Sequence, residues 1–286
     1  MSWVGSGFTC AGVDFSGAKN TPNNTWLAIG KLTNLGLEIA SVNHCGSHLL
    51  AKQLNEINGL NAVGMDFPFS LPAPFLDHLK EKREGRAFQS WQEVAEHLAF
   101  STFEEFMADV AGFASEPKRI TDSCVHRAGI SPLHRGNPSM VQMTFHGIRL
   151  LTTLDPSRFF VLPFQSPIET GCAVMEVYPR ETLFCLSLPD VGYKSTGEKA
   201  ERTRLEIVSG LANIREKGCH KDIPRISFNK NVERLILEND DALDAVLACY
   251  ATAAWKAAPQ LFKDPFSSDD LNVLLEGWIY APSLLK

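Results

Sequence analysis

No apolar run in this chain is long enough to cross a bilayer. Residues 1–7 have neither a basic n-region nor a signal-type apolar core. The expectation is a soluble, cytoplasmic protein with no membrane partner. No C-x-x-C pair occurs among the seven cysteines, and their number is odd, which argues against a zinc knuckle or a disulfide framework. Cys10, Cys172 and Cys249 lie in apolar runs and read as small core residues, as suits a reducing compartment. His126, His134 and His146 lack H-x-x-x-H spacing, so no zinc site is expected from them. The absence of G-x-S-x-G removes a serine-nucleophile elbow. The absence of a Walker loop and of G-x-G-x-x-G removes the two commonest glycine-rich phosphate cradles. Positive charge is short as well: a net charge of −6 argues against a non-specific duplex binder. Internal repeats and low-complexity tracts are absent.

What remains is an ordinary globular composition, 44% hydrophobic and 21% charged, which predicts a packed core. The length of 286 residues suits a single domain over 1–286 carrying an insertion. Residues 8–13, 26–32 and 37–42 read as strands joined by short, turn-rich links, hence an antiparallel meander. An amphipathic helix over 48–57 ends at Gly59. Residues 62–66 form an apolar run without alternation, the pattern of a central strand buried on both faces, and Pro68 lies just past its end. Residues 73–158 read as a mostly helical, aromatic-rich insertion over the sheet edge, with helices over 74–82, 91–98, 103–113 and 139–154. The aromatics there read as core. Strands are expected at 159–162 and 172–178. Helices follow at 180–186, at 198–217 with Leu205, Val208, Leu211 and Ala212 inward, at 231–238 and at 240–258. Residues 276–280 suit a short edge strand.

Five acids lie in apolar segments: Asp14, Asp66, Glu176, Asp241 and Asp244. Asp14 and Asp66 each end a strand, and ligands of sheets with parallel central strands sit outside that carboxyl edge. Asp241 and Asp244 share a helix face, where like charges repel by roughly 0.2–0.5 kcal/mol on an isolated helix. Either acid can serve as an N-terminal cap, but Asn239 or Asp240 can already fill that role. A semi-buried carboxylate cluster is costly unless cations neutralise it, and Mg²⁺ or Mn²⁺ suits oxygen ligands. Ser16 and Gly17 shape the turn after Asp14, and Ser16 is also a candidate phosphate contact. Residues 115–149 hold five Lys/Arg against two acids, so a local basic surface is possible. There His126–Arg127 and His134–Arg135 either line a phosphate entrance, with Arg127 as a substrate contact, or form a solvated loop. Lys194 is either a phosphate contact or a solvated loop lysine.

The motifs Gly12-Val13-Asp14-Phe15-Ser16, Gly64-Met65-Asp66-Phe67-Pro68, Glu176-Val177-Tyr178-Pro179, Tyr193-Lys194, Asp241-Ala242-Leu243-Asp244-Ala245 and Glu276-Gly277-Trp278-Ile279 resemble, in order and spacing, the DUF429 family of predicted RNase H-like nucleases. The resemblance runs from near residue 9 to near residue 280. It implies an RNase H-like α/β fold: a mixed sheet, with a three-stranded antiparallel meander plus parallel strands, flanked by helices. It also implies a metal-dependent nuclease or phosphodiesterase with Mg²⁺ or Mn²⁺ on carboxylates. Asp14 would bridge, Asp66 would hold one ion, and Asp241 or Asp244 the other. One ion would activate water while the other stabilises the leaving oxygen. Glu176 would be a ligand or would orient Lys194 or Arg180. The acidic balance and the lack of a basic stacking platform favour single-stranded nucleic acid or a small nucleotide as substrate over long duplex. Two other readings use the same fold. One is an ATP-handling protein, although such proteins normally pair two copies of the fold and only one acid-bearing sheet is expected here. The other is a non-catalytic binding module whose acids form structural pairs.

Overall fold

The apolar run ahead of Asp14 forms β1 (Phe8–Asp14), the middle strand of a seven-stranded sheet in the computed structural model. The structure describes residues 7–15, 25–81, 84–127, 129–214, 222–267 and 270–283. The turn expected at Ser16 and Gly17 lies outside the described residues. β2 (Thr25–Thr33) and β3 (Gly36–Cys45) complete the antiparallel meander. A 3-10 turn at Ser47–Leu49 and helix α1 (Leu50–Glu56) lead into β4 (Leu60–Asp66), which lies parallel to β1 with Asp14 opposite Asp66. β6 (Cys172–Glu176) runs parallel to β4, with Glu176 opposite Met65, and β5 (Phe159–Val161) closes that side. Because β1, β4 and β6 run the same way, Asp14, Asp66 and Glu176 all end at one sheet edge. β7 (Ile226–Phe228) joins β3 at the far edge. This mixed α/β architecture is consistent with an RNase H-like fold.

Side chains alternate across the central strands, so β1 feeds two cores: Cys10 packs on one side, Ala11 and Val13 on the other. The insertion supplies α2 (Ala73–Lys80), α3 (Trp91–Phe100), α4 (Phe103–Gly112), α5 (Ile120–Cys124) and α6 (Pro138–Leu151). Ser90 caps α3, and Thr102 with Glu105 forms a capping box on α4, so each start is written locally. Phe75, Trp91, Phe106 and Phe145 are buried in one cluster with Ala11, Val63 and Val174. The insertion therefore covers a face of the sheet, not only its edge. Its aromatics are core, apart from features such as Phe100, which is exposed.

The opposite face is covered by α7 (Pro179–Cys185), α8 (Glu198–Ala212), α9 (Lys230–Glu238) and α10 (Asp240–Ala257). The Ala-rich α10 lies directly on β1 and β4. A Cβ at Gly12 would collide with the backbone of Ala245 and Cys249, and one at Gly64 with Thr252 and the Ala248 carbonyl. Two glycines opposite each other in the sheet thus set how closely the helix approaches.

Two expectations change. The inward face of α8 is Ala200, Arg204, Ile207, Val208 and Leu211; Leu205 and Ala212 are exposed. The expected end of that helix, from 215 onward, lies outside the described residues. Residues 276–280 do not form an edge strand. Helix α11 (Val273–Glu276) ends at Gly277, whose φ of +88° turns the chain, and Ile279 then makes a single parallel bridge to Glu176.

Candidate metal centre

Strands β1 and β4 deliver Asp14 and Asp66 side by side, both partly buried. Asp244, in the second turn of α10, reaches the same point because Gly12 and Gly64 bring the helix down onto those strands. One carboxylate oxygen of each of the three lies within 4.8 Å of the others. Asn239 caps α10, its side chain accepting from the Ala242 N–H at 2.8 Å. Neither Asp241 nor Asp244 is needed as a cap, which frees both for the cluster. Asp241 is outside the tight group of three, half-buried one turn earlier, and its charge acts on Asp14 and Asp244.

Asp244 is fully buried and receives two bonds from one loop. The Tyr193 hydroxyl donates to its Oδ1 at 2.9 Å, and Lys194 Nζ lies 2.5 Å from its Oδ2. Lys194 is therefore not a merely solvated lysine, although half its side chain remains exposed. The loop is held in turn by buried Arg204, whose guanidinium donates to the carbonyls of Tyr193 (2.6 Å), Ser195 (3.0 Å) and Leu237 (2.7 Å).

Burial pushes the Asp14 carboxyl well above the usual carboxylate range, with repulsion from Asp244, Asp66 and Asp241 adding to it and Lys194 opposing. Burial likewise pushes Asp66 up to about 7, against the pull of Lys194. Asp244 is also raised, chiefly by burial, despite its bonds to Lys194 and Tyr193. The Lys194 ammonium is disfavoured by burial but held charged by Asp244 and then Asp66. At an effective dielectric near 20, two ionised carboxylates about 5 Å apart repel by about 3 kcal/mol. With all three carboxylates ionised, the one ammonium leaves an excess of two negative charges, and the all-oxygen donor set fits a hard divalent cation.

Glu176 ends its strand at the same edge but is engaged elsewhere. Arg119 holds it in a fork, Nη2 to Oε1 at 2.6 Å and Nη1 to Oε2 at 2.8 Å, while the Phe69 N–H donates to Oε2 at 2.9 Å. Arg119 also binds Asp122 through Nε and Nη2, and all three side chains are buried. Among the described residues Glu176 pairs with Arg119, not with Lys194 or Arg180; Arg180 pairs with Asp190 at 3.3 Å. The carboxylate of Glu276 accepts from the Ala73 and Ile120 N–H groups, tying α11 to the insertion beside this ion cluster.

The basic stretch does not present an open row of cations. Arg127 binds Asp190 through Nε (2.7 Å) and stacks over Phe184, and its N–H donates to Glu181. His134 meets Glu116 at 2.8 Å, and Arg135 donates to the carbonyl of Val110. Arg119 and Arg204 escape sequence reasoning because an arginine reads as surface. Their only local signals are the i, i+3 spacing of Arg119 and Asp122 and the position of Arg204 on the apolar face of α8.

Residues 149–263 match the model of DUF429, a family described as proteins of unknown function. The chain carries a DUF429 segment. That segment holds Glu176, Tyr193, Lys194, Asp241 and Asp244, whereas Asp14 and Asp66 precede it, so the match is shorter than the motif order implied. No curated protein and no solved structure matches the chain. Among the described residues no helix is long and apolar enough to cross a membrane.

Proposed function

We propose that this protein hydrolyses a phosphodiester bond at a divalent-cation centre held by Asp14, Asp66 and Asp244, with Asp241 at its rim. The observation that carries this reading is the convergence of three carboxylates, from two adjacent strands and one helix, within 4.8 Å. Mg²⁺ or Mn²⁺ bound there would supply Lewis-acid polarisation of the phosphate and a more acidic water. Asp14, on which the charges of Asp244, Asp66 and Asp241 all act, would be the shared ligand. Tyr193 fixes the Asp244 carboxylate through Oδ1. Lys194, whose side chain is half exposed and whose ammonium lies on Asp244, would meet a phosphate oxygen once a cation takes over that carboxylate. Glu176 acts one layer back: its bond to the Phe69 N–H, under the Arg119 fork, steadies the chain that follows Asp66.

The substrate this site favours is a small nucleotide or a single strand. A cavity of about 70 Å³ runs beside Asp66, walled by Phe67, Ile130, Met140, Met143 and Tyr178, with room for one apolar group next to the acids. The paired state of Arg127 and Arg135 argues against a long phosphate track. A panel of single-stranded RNA and DNA, cyclic nucleotides and dinucleotides, each with Mg²⁺ and with Mn²⁺, tests the proposal. Cleavage is expected with at least one metal and is expected to vanish in Asp14→Asn, which should still fold. An intact panel with both metals would sink it.

The contact between Lys194 and Asp244 favours a second reading, a binding module in which the acids are structurally paired and no cation enters. That reading predicts no metal binding by either wild type or Asp14→Asn.

A further inference from the structure

A second group of ligand-type side chains lies on α7. Glu181 and Cys185 are four residues apart and share one helix face. His126 comes to them from the segment after α5. His126 Nδ1 lies 2.8 Å from Glu181 Oε1, Cys185 Sγ lies 3.5 Å from the same oxygen, and all three ligand atoms fall within 4.8 Å of one another. The carboxylate is oriented from behind: the His126 N–H donates to Oε1 at 2.9 Å and the Arg127 N–H to Oε2 at 2.8 Å. Such outer bonds aim metal-binding carboxylates in known centres. Glu181 and Cys185 are buried, while the His126 ring is partly exposed. A cavity of about 30 Å³, lined by His126, Glu181, Lys263 and Trp278, opens beside them and has room for a water.

We infer that His126, Glu181 and Cys185 form a zinc-class metal site, with a water from the adjoining cavity as fourth ligand. An imidazole nitrogen, a carboxylate oxygen and a thiolate are the donors this ion takes, and three protein ligands plus water complete its tetrahedron. Sequence spacing misses the site because its ligands come from two distant segments and follow no Cys/His repeat. A buried thiol set against a carboxylate gains little as a hydrogen-bond donor, since S–H is a weak one. Facing a cation, the same three atoms become a matched set. The Glu181 carboxylate and a Cys185 thiolate together carry the two negative charges that a divalent ion neutralises. Binding releases the Cys185 proton to solvent and requires neutral His126 with its proton on Nε2. Burial, and then Glu181, push the free thiol pKa up, so the thiol is protonated without the cation. The Lys263 ammonium at the cavity favours the thiolate but repels the ion. The site would pin the segment around His126 to α7, independently of the aspartate cluster.

Cobalt(II) added to the purified, reduced chain tests this, because a cobalt–thiolate bond gives a near-ultraviolet charge-transfer band that an all-carboxylate site cannot give. Wild type and Asp14→Asn should both develop the band with one equivalent of cobalt, and zinc should bleach it. Cys185→Ser should abolish it. His126→Ala, altering a partly exposed ring, should weaken cobalt binding at least about tenfold and guards against a folding defect in the buried cysteine variant. Cys124→Ser, at an exposed cysteine nearby, should leave the band unchanged. Absence of the band in wild type, its survival in Cys185→Ser, or its loss in Cys124→Ser would overturn the inference.

Discussion

The cluster makes a prediction about stability against pH, and Asp66→Asn isolates it. In the folded chain burial pushes the Asp66 carboxyl up to about 7, against about 3.9 in an unfolded chain. The folded state therefore holds this proton more tightly. Stability from this group is full below about pH 4 and is lost as pH rises towards 7. A gap of about three pH units at ~1.36 kcal/mol each puts the cost of ionising Asp66 near 4 kcal/mol, as an upper bound before local relaxation. The substituted amide keeps the shape and removes the charge, and it relieves Asp14 as well, since Asp66 is one of the charges raising it. In the presence of a chelator, urea unfolding should give similar stabilities for both proteins at about pH 4.5. The variant should be the more stable by several kcal/mol at about pH 7.5. Millimolar Mn²⁺ should restore wild type at the higher pH and do little for the variant, because a bound cation favours the ionised carboxylate. Identical pH slopes for the two proteins in chelator would refute the reasoning.

Three further predictions follow from the packing and the charges. Arg119→Met strands Glu176 and Asp122 as buried carboxylates without a counter-ion; it should cost about 3–5 kcal/mol in chemical unfolding, most of it regained when Glu176 and Asp122 are also made neutral. Gly12→Ala drives a methyl into the backbone of α10, and with no flexible side chain there to give way it should lower stability by at least about 1–3 kcal/mol in thermal melts. Lys194→Met removes the one ammonium on Asp244; half its side chain is exposed, so the loss without metal should be only about 1 kcal/mol, while the stabilisation gained from Mn²⁺ should exceed that of wild type.

Much of the sheet was legible because its signals are local. The non-alternating runs ending at Asp14 and Asp66 marked the central strands, and short links marked the meander between 26 and 42. Periodicity found α3, α4 and α10 within a few residues of their observed bounds. β7 and α5 escaped because three to five residues carry no readable period. The face of α8 was misjudged around Leu205 because its true inward row contains Arg204, whose guanidinium donates to carbonyls of other segments. The gathering of Asp14, Asp66 and Asp244 was legible as strand ends and a helix start. The pairing of Glu176 with Arg119 was not, since 57 residues separate them and Arg119 sits among ordinary surface-type neighbours in the sequence. Lys194 lay between these cases: the Tyr193–Lys194 motif was visible, but its bond to Asp244 depends on the loop that Arg204 anchors.

Titration calorimetry of Mn²⁺ into wild type and Asp14→Asn, near neutral pH and free of chelator, tests the cation centre most directly. Saturable binding by wild type, with protons released from the raised carboxyls, and its loss in a folded Asp14→Asn is the predicted result. Silence in both proteins, or equal binding by both, would contradict it.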